Sequence, residues 1–567
     1  MNWSLPPGAL LMAGLAACTS QDNAVIEILL GGETTTLTQS PAVTEIVLQA
    51  YDTSGNATTI GSSPVPTTTI PLQSLSESNT VSFGAIGFDS QDASVVFGAT
   101  IPFLLSDVVG DQVPVFVARV NQFARAPNPF SGDLRQAPLM AIMQGQYLFV
   151  AGGALPDGGT VPDVEGGLSF TPASTTEIYD FGEFTAVPSP PTLPSLDGGA
   201  VFAPQSLAMT GTVAWLISPQ GGMYFDLSQN GWEQISEPAS GTFVSISGGI
   251  TVSDNLGTQY VVGGTRTAGG PTATVLEINP NDTSASAYPD GNVGVLSLST
   301  PRLGAAATWV QGRGLVVAAG SATGAGVEVL DPATGSSTGS SMAGAPLPYE
   351  PDPSVGAGAA AFSDDQHVLL AGGILPNGKD AGLRVIDLAC TSAPCTPTWW
   401  TSLPIAIANV SAFTLSSTTA LVVGSEPETG VTHAFYVTGP ASSDAGATDA
   451  GTPQEAAATG AAPSDAAVTP EAAGEPAVIT DAAGDAVALD AAPSDATSTA
   501  EAGADDDAES DGESAGAGTT VELLLPTNQD SDGGPGVLRN ARAIMSPVGT
   551  IVVFGGYDVI DSFQPPP

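Results

Sequence analysis

Basic residues are nearly missing from this chain. Ten Lys and Arg stand against 57 Asp and Glu in 567 residues, a formal charge of −47. Nucleic-acid binding needs cationic side chains to displace counterions, and a polybasic hold on anionic lipid needs the same residues. Both classes are therefore excluded. Only two histidines occur, His367 and His433, which rules out a multi-histidine metal centre. No apolar run approaches the roughly 18 residues of a membrane-spanning helix. What the chain does have is small and apolar: 42% hydrophobic residues and 68 glycines, enough for a sizeable core. Its length suggests about two to four domains.

The amino terminus reads as an address. Residues 9–17 form a short apolar run ending in Leu15-Ala16-Ala17-Cys18, which looks like a bacterial lipobox. On that reading residues 1–17 are a signal peptide, Cys18 carries lipid, and residues 18–23 are a polar tether. No Lys or Arg precedes the run, so either translation starts elsewhere or the terminal amine alone supplies the positive charge. With Cys18 assigned to lipid, Cys390 and Cys395 remain, four residues lying between them in Ala-Cys-Thr-Ser-Ala-Pro-Cys-Thr-Pro. In an oxidising compartment such a pair is expected to close a small disulfide. A metal pair is the competing reading, but no further ligand stands near enough in sequence to complete a tetrahedral site.

The body of the chain repeats itself. An aliphatic run, then Gly-Gly or a near equivalent, then a loop and a second apolar strand containing an acid recur along its length. The copies read Tyr147-Leu-Phe-Val-Ala-Gly152-Gly153, Gln259-Tyr-Val-Val-Gly263-Gly264, Leu315-Val-Val-Ala-Ala-Gly320, His367-Val-Leu-Leu-Ala-Gly372-Gly373, Thr419-Ala-Leu-Val-Val-Gly424-Ser425 and Ile551-Val-Val-Phe-Gly555-Gly556, with a worn copy at Val213–Ile217. Apart from the last interval, they fall about 46 to 65 residues apart, the spacing of propeller blades. Removing a low-complexity block restores that spacing in the last interval too, so seven anchors imply seven blades. Runs that are apolar on both faces suit sheets stacked on either side. Glycine at the strand end allows close backbone approach and a positive φ.

On these residues the chain resembles the kelch-repeat family, in which a diglycine follows the second strand of each blade. Val327-Glu-Val-Leu-Asp-Pro-Ala-Thr-Gly335 is especially similar to kelch-like repeats of bacterial exported proteins. The resemblance spans about residues 125–440 and 519–567, and most of the Tyr and Trp usual after the diglycine are absent. It implies a seven-bladed propeller over 111–567. The final copy has no room for a fourth strand, so Val113–Phe123 is expected to supply the outer strand of the last blade. Residues 24–110 hold short alternating segments between Asn, Gly, Ser and Pro clusters, which suggests a small β-sandwich-like domain.

From Ala441 to Gly518 the chain is almost wholly Ala, Asp, Glu, Gly, Pro, Ser and Thr, with hardly any large apolar residues, 17 acids and no Lys or Arg. Such a segment cannot bury enough surface to offset its ordering entropy and is expected to be disordered. Chemistry is harder to find. A galactose-oxidase type copper site needs two histidines and two tyrosines together, and His367 and His433 start different strands. A sialidase-like site needs an arginine cluster, whereas Arg119, Arg125, Arg302, Arg539 and Arg542 lie scattered before strands, where they are expected to pair with acids. A glycosidase needs only two carboxylates, a pair that sequence cannot select among 57. Asn528, Asp530 and Asp532 match the opening of a calcium loop, but its twelfth position is Arg539.

The sequence thus points to a lipid-anchored, extracytoplasmic protein of the bacterial cell envelope. It would bind an unknown protein or glycan through propeller loops, 154–176 and 374–382 being the candidates, with no cofactor beyond a weak calcium possibility. A glycan-active hydrolase or lyase on the same frame, and a purely structural surface protein, are the alternatives.

Overall fold

A computed structural model describes residues 25–440 and 518–566, apart from 72–79, 105–111, 129, 131–134, 157–169, 189, 197–200, 227–230, 255, 265–269, 280–292, 331–344, 524, 526–537 and 557–558. Cys18, the calcium-like Asn528, Asp530 and Asp532, and residues 441–517 of the acidic segment lie outside the described residues. The described chain is all-β with one short helix, Thr242–Ile246. No described helix is long and apolar enough to cross a membrane.

The amino-terminal strands are β1 (Val25–Leu30), β2 (Glu45–Tyr51), β3 (Ala57–Pro64), β4 (Thr69–Pro71), β5 (Thr80–Phe88), β6 (Ser94–Ala99), β7 (Phe103–Leu104) and β8 (Gln112–Arg119). They form one sheet in the order β3-β2-β5-β6-β8-β1-β4, with β7 beside β5. The sheet curls nearly shut: its end strands approach where the Cα of Gly61 faces Ile70. Ile26, Leu48, Phe83 and Val115 fill its interior. β8 corrects one expectation. Instead of closing the last blade, it runs parallel to β1, from Val25 opposite Gln112 to Leu30 opposite Val117. Val113, Val115 and Val117 point into this core. Phe116 and Ala118 point out of it, into a second core shared with the first and last blades. A strand buried on both faces must be apolar throughout, which is why its sequence resembles a blade strand.

Seven four-stranded antiparallel sheets follow. Their first strands are Leu139–Met143, Ser206–Thr210, Ile250–Ser253, Ala306–Val310, Gly358–Ala361, Ala408–Thr414 and Arg542–Met545. Each first strand lies against the next, and the seventh lies against the first, so the strands ring a central axis. The seventh sheet has three strands from the carboxyl terminus. Its fourth is β9 (Phe123–Arg125), which pairs with Asp561–Phe563. This three-residue strand, at the far edge of the segment expected to close the ring, is what closes it. Its Phe123 packs on Phe563, ring centroids 5.3 Å apart.

The hydrophobic interior divides by seam. In the second strand of blade 1, Leu148 and Val150 face blade 7, while Phe149 and Ala151 face blade 2. In blade 4, Leu315 and Val317 serve the seam with blade 3, and Val316 and Ala318 the seam with blade 5. Side chains alternate with period two, so one strand supplies two cores and every residue must be apolar. Burying each large aliphatic or aromatic side chain contributes about 1.5–3 kcal/mol. The acidic segment leaves blade 6 at Pro440 and returns at Gly518, whose N–H bonds the Trp400 carbonyl at 2.9 Å. Thr519–Leu523 then completes that blade, Ala434 opposite Leu523.

Candidate binding face

Glycine placement follows from the stacking. Gly372 (φ 60°) and Gly373 (φ 90°) adopt the left-handed region, where a Cβ is strained. A Cβ on Gly372 would lie 2.9 Å from Val410 of the next blade, and one on Gly373 would lie 2.9 Å from Ala357 Cβ of its own blade. The same division holds elsewhere. Gly152 and Gly263 face Pro204 and Ala305 of the following blade, while Gly153, Gly264, Gly320 and Gly556 face Gln136, Ser245, Leu303 and Arg539 of their own; Gly555 lies against both, Ala541 of its own blade and Pro138 of the next. Blade 4 puts Ala319 at the first position with φ 59°. Gly424 differs: it sits within Thr419–Ser425, paired with His433.

These second-to-third strand loops lie on the same face of the ring as the starts of the seven inner strands. Just before or within the first turn of six inner strands stands a residue with positive φ: Ala137, Gly248, Gly304, Gly356, Asn409 and Asn540. That conformation turns main-chain groups toward the neighbouring blade. Ala137 N–H donates to Asn540 O at 2.9 Å, Gly356 N–H to Gly304 O at 3.0 Å, and Gly304 N–H to Gly264 O at 2.8 Å. The channel mouth is thus rimmed by backbone amides and small side chains.

Beneath the rim lie buried arginine braces. Arg135 and Arg302 each reach the carbonyl seventeen residues ahead, Gly152 O at 3.3 Å and Ala319 O at 2.8 Å. Arg135 lies 3.7 Å from Glu177. Arg302 meets Glu328 at 3.1 Å, both side chains fully buried. In blade 5 the direction is reversed: Arg384, on the third strand, pairs with Asp352 and donates to Ser354 Oγ at 3.0 Å. These pairs account for two of the acids that recur in the strand after the diglycine, Glu177 and Glu328. The shared seventeen-residue spacing was the signal that sequence reasoning overlooked, and Arg135 was not singled out.

The expectation that the scattered arginines pair with acids holds at Arg302 and at Arg125, whose charge acts on Glu33, while Arg119, Arg539 and Arg542 reach main-chain carbonyls instead. Arg119 donates to the carbonyls of Thr36, Gln39 and Pro41, bracing the loop after β1. Arg125 offers its main-chain N–H to Glu33 at 2.9 Å. Arg539 donates to Thr429 O at 2.7 Å. Arg542, the first residue of the last inner strand, donates to Asn409 O of blade 6 at 3.0 Å. Its side chain is half-buried, and burial pushes its pKa down to about 10.

The two histidines stay apart. His367 Nδ1 bonds Asp364 at 2.5 Å at an exposed turn of blade 5. His433 lies between Glu522 at 2.7 Å and Glu426 at 3.0 Å, tying the strand after the acidic segment to the rest of blade 6. Among the described residues no cluster of three or more His, Cys, Asp or Glu is arranged to hold a metal. Cys390 and Cys395 form a disulfide in the outer loop of blade 5, Cα atoms 6.1 Å apart. Of the expected recognition loops, 374–382 is an ordered turn with Leu375 N–H on Lys379 O at 2.9 Å. The other is described only at its base, where Ala154–Pro156 pairs with Phe170–Pro172. Beside blade 2 a cavity of about 620 Å³ is lined by Gln220, Gln234, Ser236, Glu237, Phe243 and Val244.

Seven radially stacked sheets closed by a strand from the other end of the chain define a seven-bladed β-propeller, preceded by a separate, nearly closed sheet. No protein-family model and no curated protein matches the chain. Solved structures with distant similarity include a dihydro-heme d1 dehydrogenase, NirN, at 11% identity and TM-score 0.31, covering 69% of this chain and 70% of that one. The extracellular domain of the hybrid two-component system BT4673 from B. thetaiotaomicron matches at 13% identity and TM-score 0.27, over 66% of this chain and 50% of that one. A Hadza microbial sialidase matches at 9% identity and TM-score 0.25, over 73% and 82%.

Proposed function

We propose that this is an extracytoplasmic lipoprotein of the bacterial cell envelope, anchored through Cys18, whose kelch-like propeller binds a protein or glycan on the face that carries the channel mouth. The observation behind this reading is the architecture of that face. Loops of unequal length, 154–176 and 374–382 among them, stand on a frame fixed by inter-blade amide bonds and buried arginine braces, and variable loops on rigid scaffolds are where recognition concentrates. The Cys390–Cys395 disulfide supports an oxidising compartment. The Gln, Ser and Glu groups of the cavity beside blade 2 suit sugar hydroxyls or a peptide main chain.

The test is a polysaccharide and envelope-protein panel screened with the purified chain lacking residues 1–17. Saturable binding without turnover supports the module. Release of reducing or unsaturated ends would replace this reading with a glycan-active enzyme. Absence of binding across the panel, with the fold intact, would leave a structural surface protein. Globomycin-sensitive labelling with a palmitate analogue, lost in Cys18→Ala, tests the anchor.

A further inference from the structure

Of the arginines described, most are committed to other groups. Arg135, Arg302 and Arg384 are buried beside carboxylates, and Arg119 is spent on three carbonyls. Arg542 differs in place and in partners. It opens the inner strand of blade 7, reaches across to the inner strand of blade 6, and makes one bond there, from Nη1 to Asn409 O. Its Nε and Nη2 have no partner among the described residues. Asn409 itself is exposed. No carboxylate among the described residues forms an ion pair with Arg542, and none contributes to the shift of its pKa, which burial alone causes.

We propose that Arg542 is an anion subsite in the channel mouth that takes the carboxylate of a ligand. This rests on the binding-face reading above and deepens it. Three arguments select a carboxylate. The free edge of a guanidinium presents parallel N–H donors that fit a planar, two-oxygen acceptor. One cation neutralises one charge, so a monoanion leaves the pair neutral, while a phosphate dianion would leave one negative charge without a partner beside this half-buried side chain. The chain's net charge of −47 disfavours any further uncompensated anion. A carboxylate arriving there exchanges water on Arg542 for two charge-assisted bonds.

The chain contains only nine arginines, so its arginine Nε–H spectrum is sparse and can be read directly. Full-length mature protein labelled with ¹⁵N-arginine is titrated with glucuronate, N-acetylalanine, glucose and glucose 6-phosphate. The cross-peak lost in Arg542→Gln, and independently in Arg542→Lys, identifies the residue. The expected result is a saturable shift of that peak with at least one carboxylate, none with glucose, and an affinity for glucose 6-phosphate lower by about tenfold or more. Glucuronate alone shifting it marks a sugar acid as the source; N-acetylalanine alone marks a chain terminus. In Arg542→Gln the affinity for the active probe falls at least about tenfold, and Arg542→Lys recovers part of it. An unmoved peak with both carboxylates, or unchanged affinity in Arg542→Gln, overturns the subsite. Should a ligand from the envelope panel still bind Arg542→Gln with full affinity, the binding-face reading survives and only this inference falls.

Discussion

The buried pair Arg302–Glu328 allows a quantitative test of what fixes the blades. Glu328 accepts four bonds: Ser299 N–H at 2.6 Å, Ser299 Oγ at 2.7 Å, Thr300 N–H at 3.1 Å and Arg302 Nη2 at 3.1 Å. Ser299 and Thr300 belong to the outer strand of blade 3, whereas Glu328 belongs to the third strand of blade 4, so the carboxylate staples two blades. Both side chains are fully buried. Removing one partner leaves an uncompensated buried charge, which costs about 3–5 kcal/mol. Arg302→Met should lose that amount, and Glu328→Gln about 2–4 kcal/mol, because the amide keeps one acceptor oxygen for the Ser299 donors. The double variant should cost less than the sum, with a coupling of about 1–3 kcal/mol. It should not recover wild-type stability, since the main-chain donors of Ser299 and Thr300 lose their charged acceptor. The control is Asp364→Asn at the exposed pair with His367, its side chains 42% and 49% accessible, where the loss should stay under about 1 kcal/mol. Urea unfolding followed by tryptophan fluorescence reports each value. A loss in Arg302→Met no larger than in Asp364→Asn would sink the argument that charge-paired braces hold the blades together.

Three further outcomes follow from the packing and the titrating groups. Gly373→Ala should destabilise by about 2–4 kcal/mol, since it combines positive φ with a close contact to Ala357, whereas Gly378→Ala (φ 79°, nothing within 4 Å) should cost only the backbone strain of about 1 kcal/mol; comparable melting shifts for the two would refute the stacking explanation. Phe123→Ala removes the ring that packs on Phe563 across the closure; it should cost about 3–5 kcal/mol and speed amide exchange in Asp561–Phe563 more than in blade 3, and uniform exchange would count against closure by β9. Burial raises the Asp380 pKa above its ordinary 3.8, outweighing the Gly382 and Leu403 N–H bonds that lower it. The folded state therefore holds this proton more tightly than the unfolded chain, and its contribution to stability is fully present below about pH 3.8 and is lost as pH rises through the raised value. Asp380→Asn should flatten that part of the stability–pH profile between neutrality and pH 4, and an unchanged profile would contradict the shift.

Reading the propeller in the sequence worked where period-two packing into two seams forces an unbroken apolar run, as in Leu315–Ala318 and Val368–Ala371. It worked for the strand after the acidic segment because Thr519–Leu523 keeps its β-branched pattern beside a stretch that has none. The amino-terminal sheet was legible as β1, β2, β4 and β5, whose residues alternate. It was not legible as β3, Ala57–Pro64, whose Thr, Ser and Gly residues face solvent on one side and carry little apolar signal. Nor could β9 be located by pattern, since three residues are too few for periodicity to register. At the candidate site, the left-handed Ala137, Asn409 and Asn540 are conformational facts that no composition reveals, and Arg542 looks in sequence like the other arginines before strands.

β8 shows why the misplaced closure and the correct fold belong to one argument. Val113, Val115 and Val117 fill the amino-terminal core, and Phe116 and Ala118 fill the seam between blades 1 and 7, where Phe116 lies 5.8 Å from Phe184. A strand so placed cannot also pair at a blade edge, because its own edges are already taken by β1 along Gln112–Val117 and by β6 at Ala118 and Arg119. The chain therefore passes through Asn121, which takes φ 59°, before Phe123–Arg125 pairs with the last blade. Gly31 and Gly32, at the end of β1, reach the same point: a Cβ on Gly31 would lie 1.7 Å from the Arg125 carbonyl, and the Gly32 N–H bonds that carbonyl at 3.2 Å. The amino-terminal sheet thus meets the ring at its closing strand. Stability of the closure and stability of that sheet should be coupled, since the residues that fix one are the chain neighbours of those that fix the other.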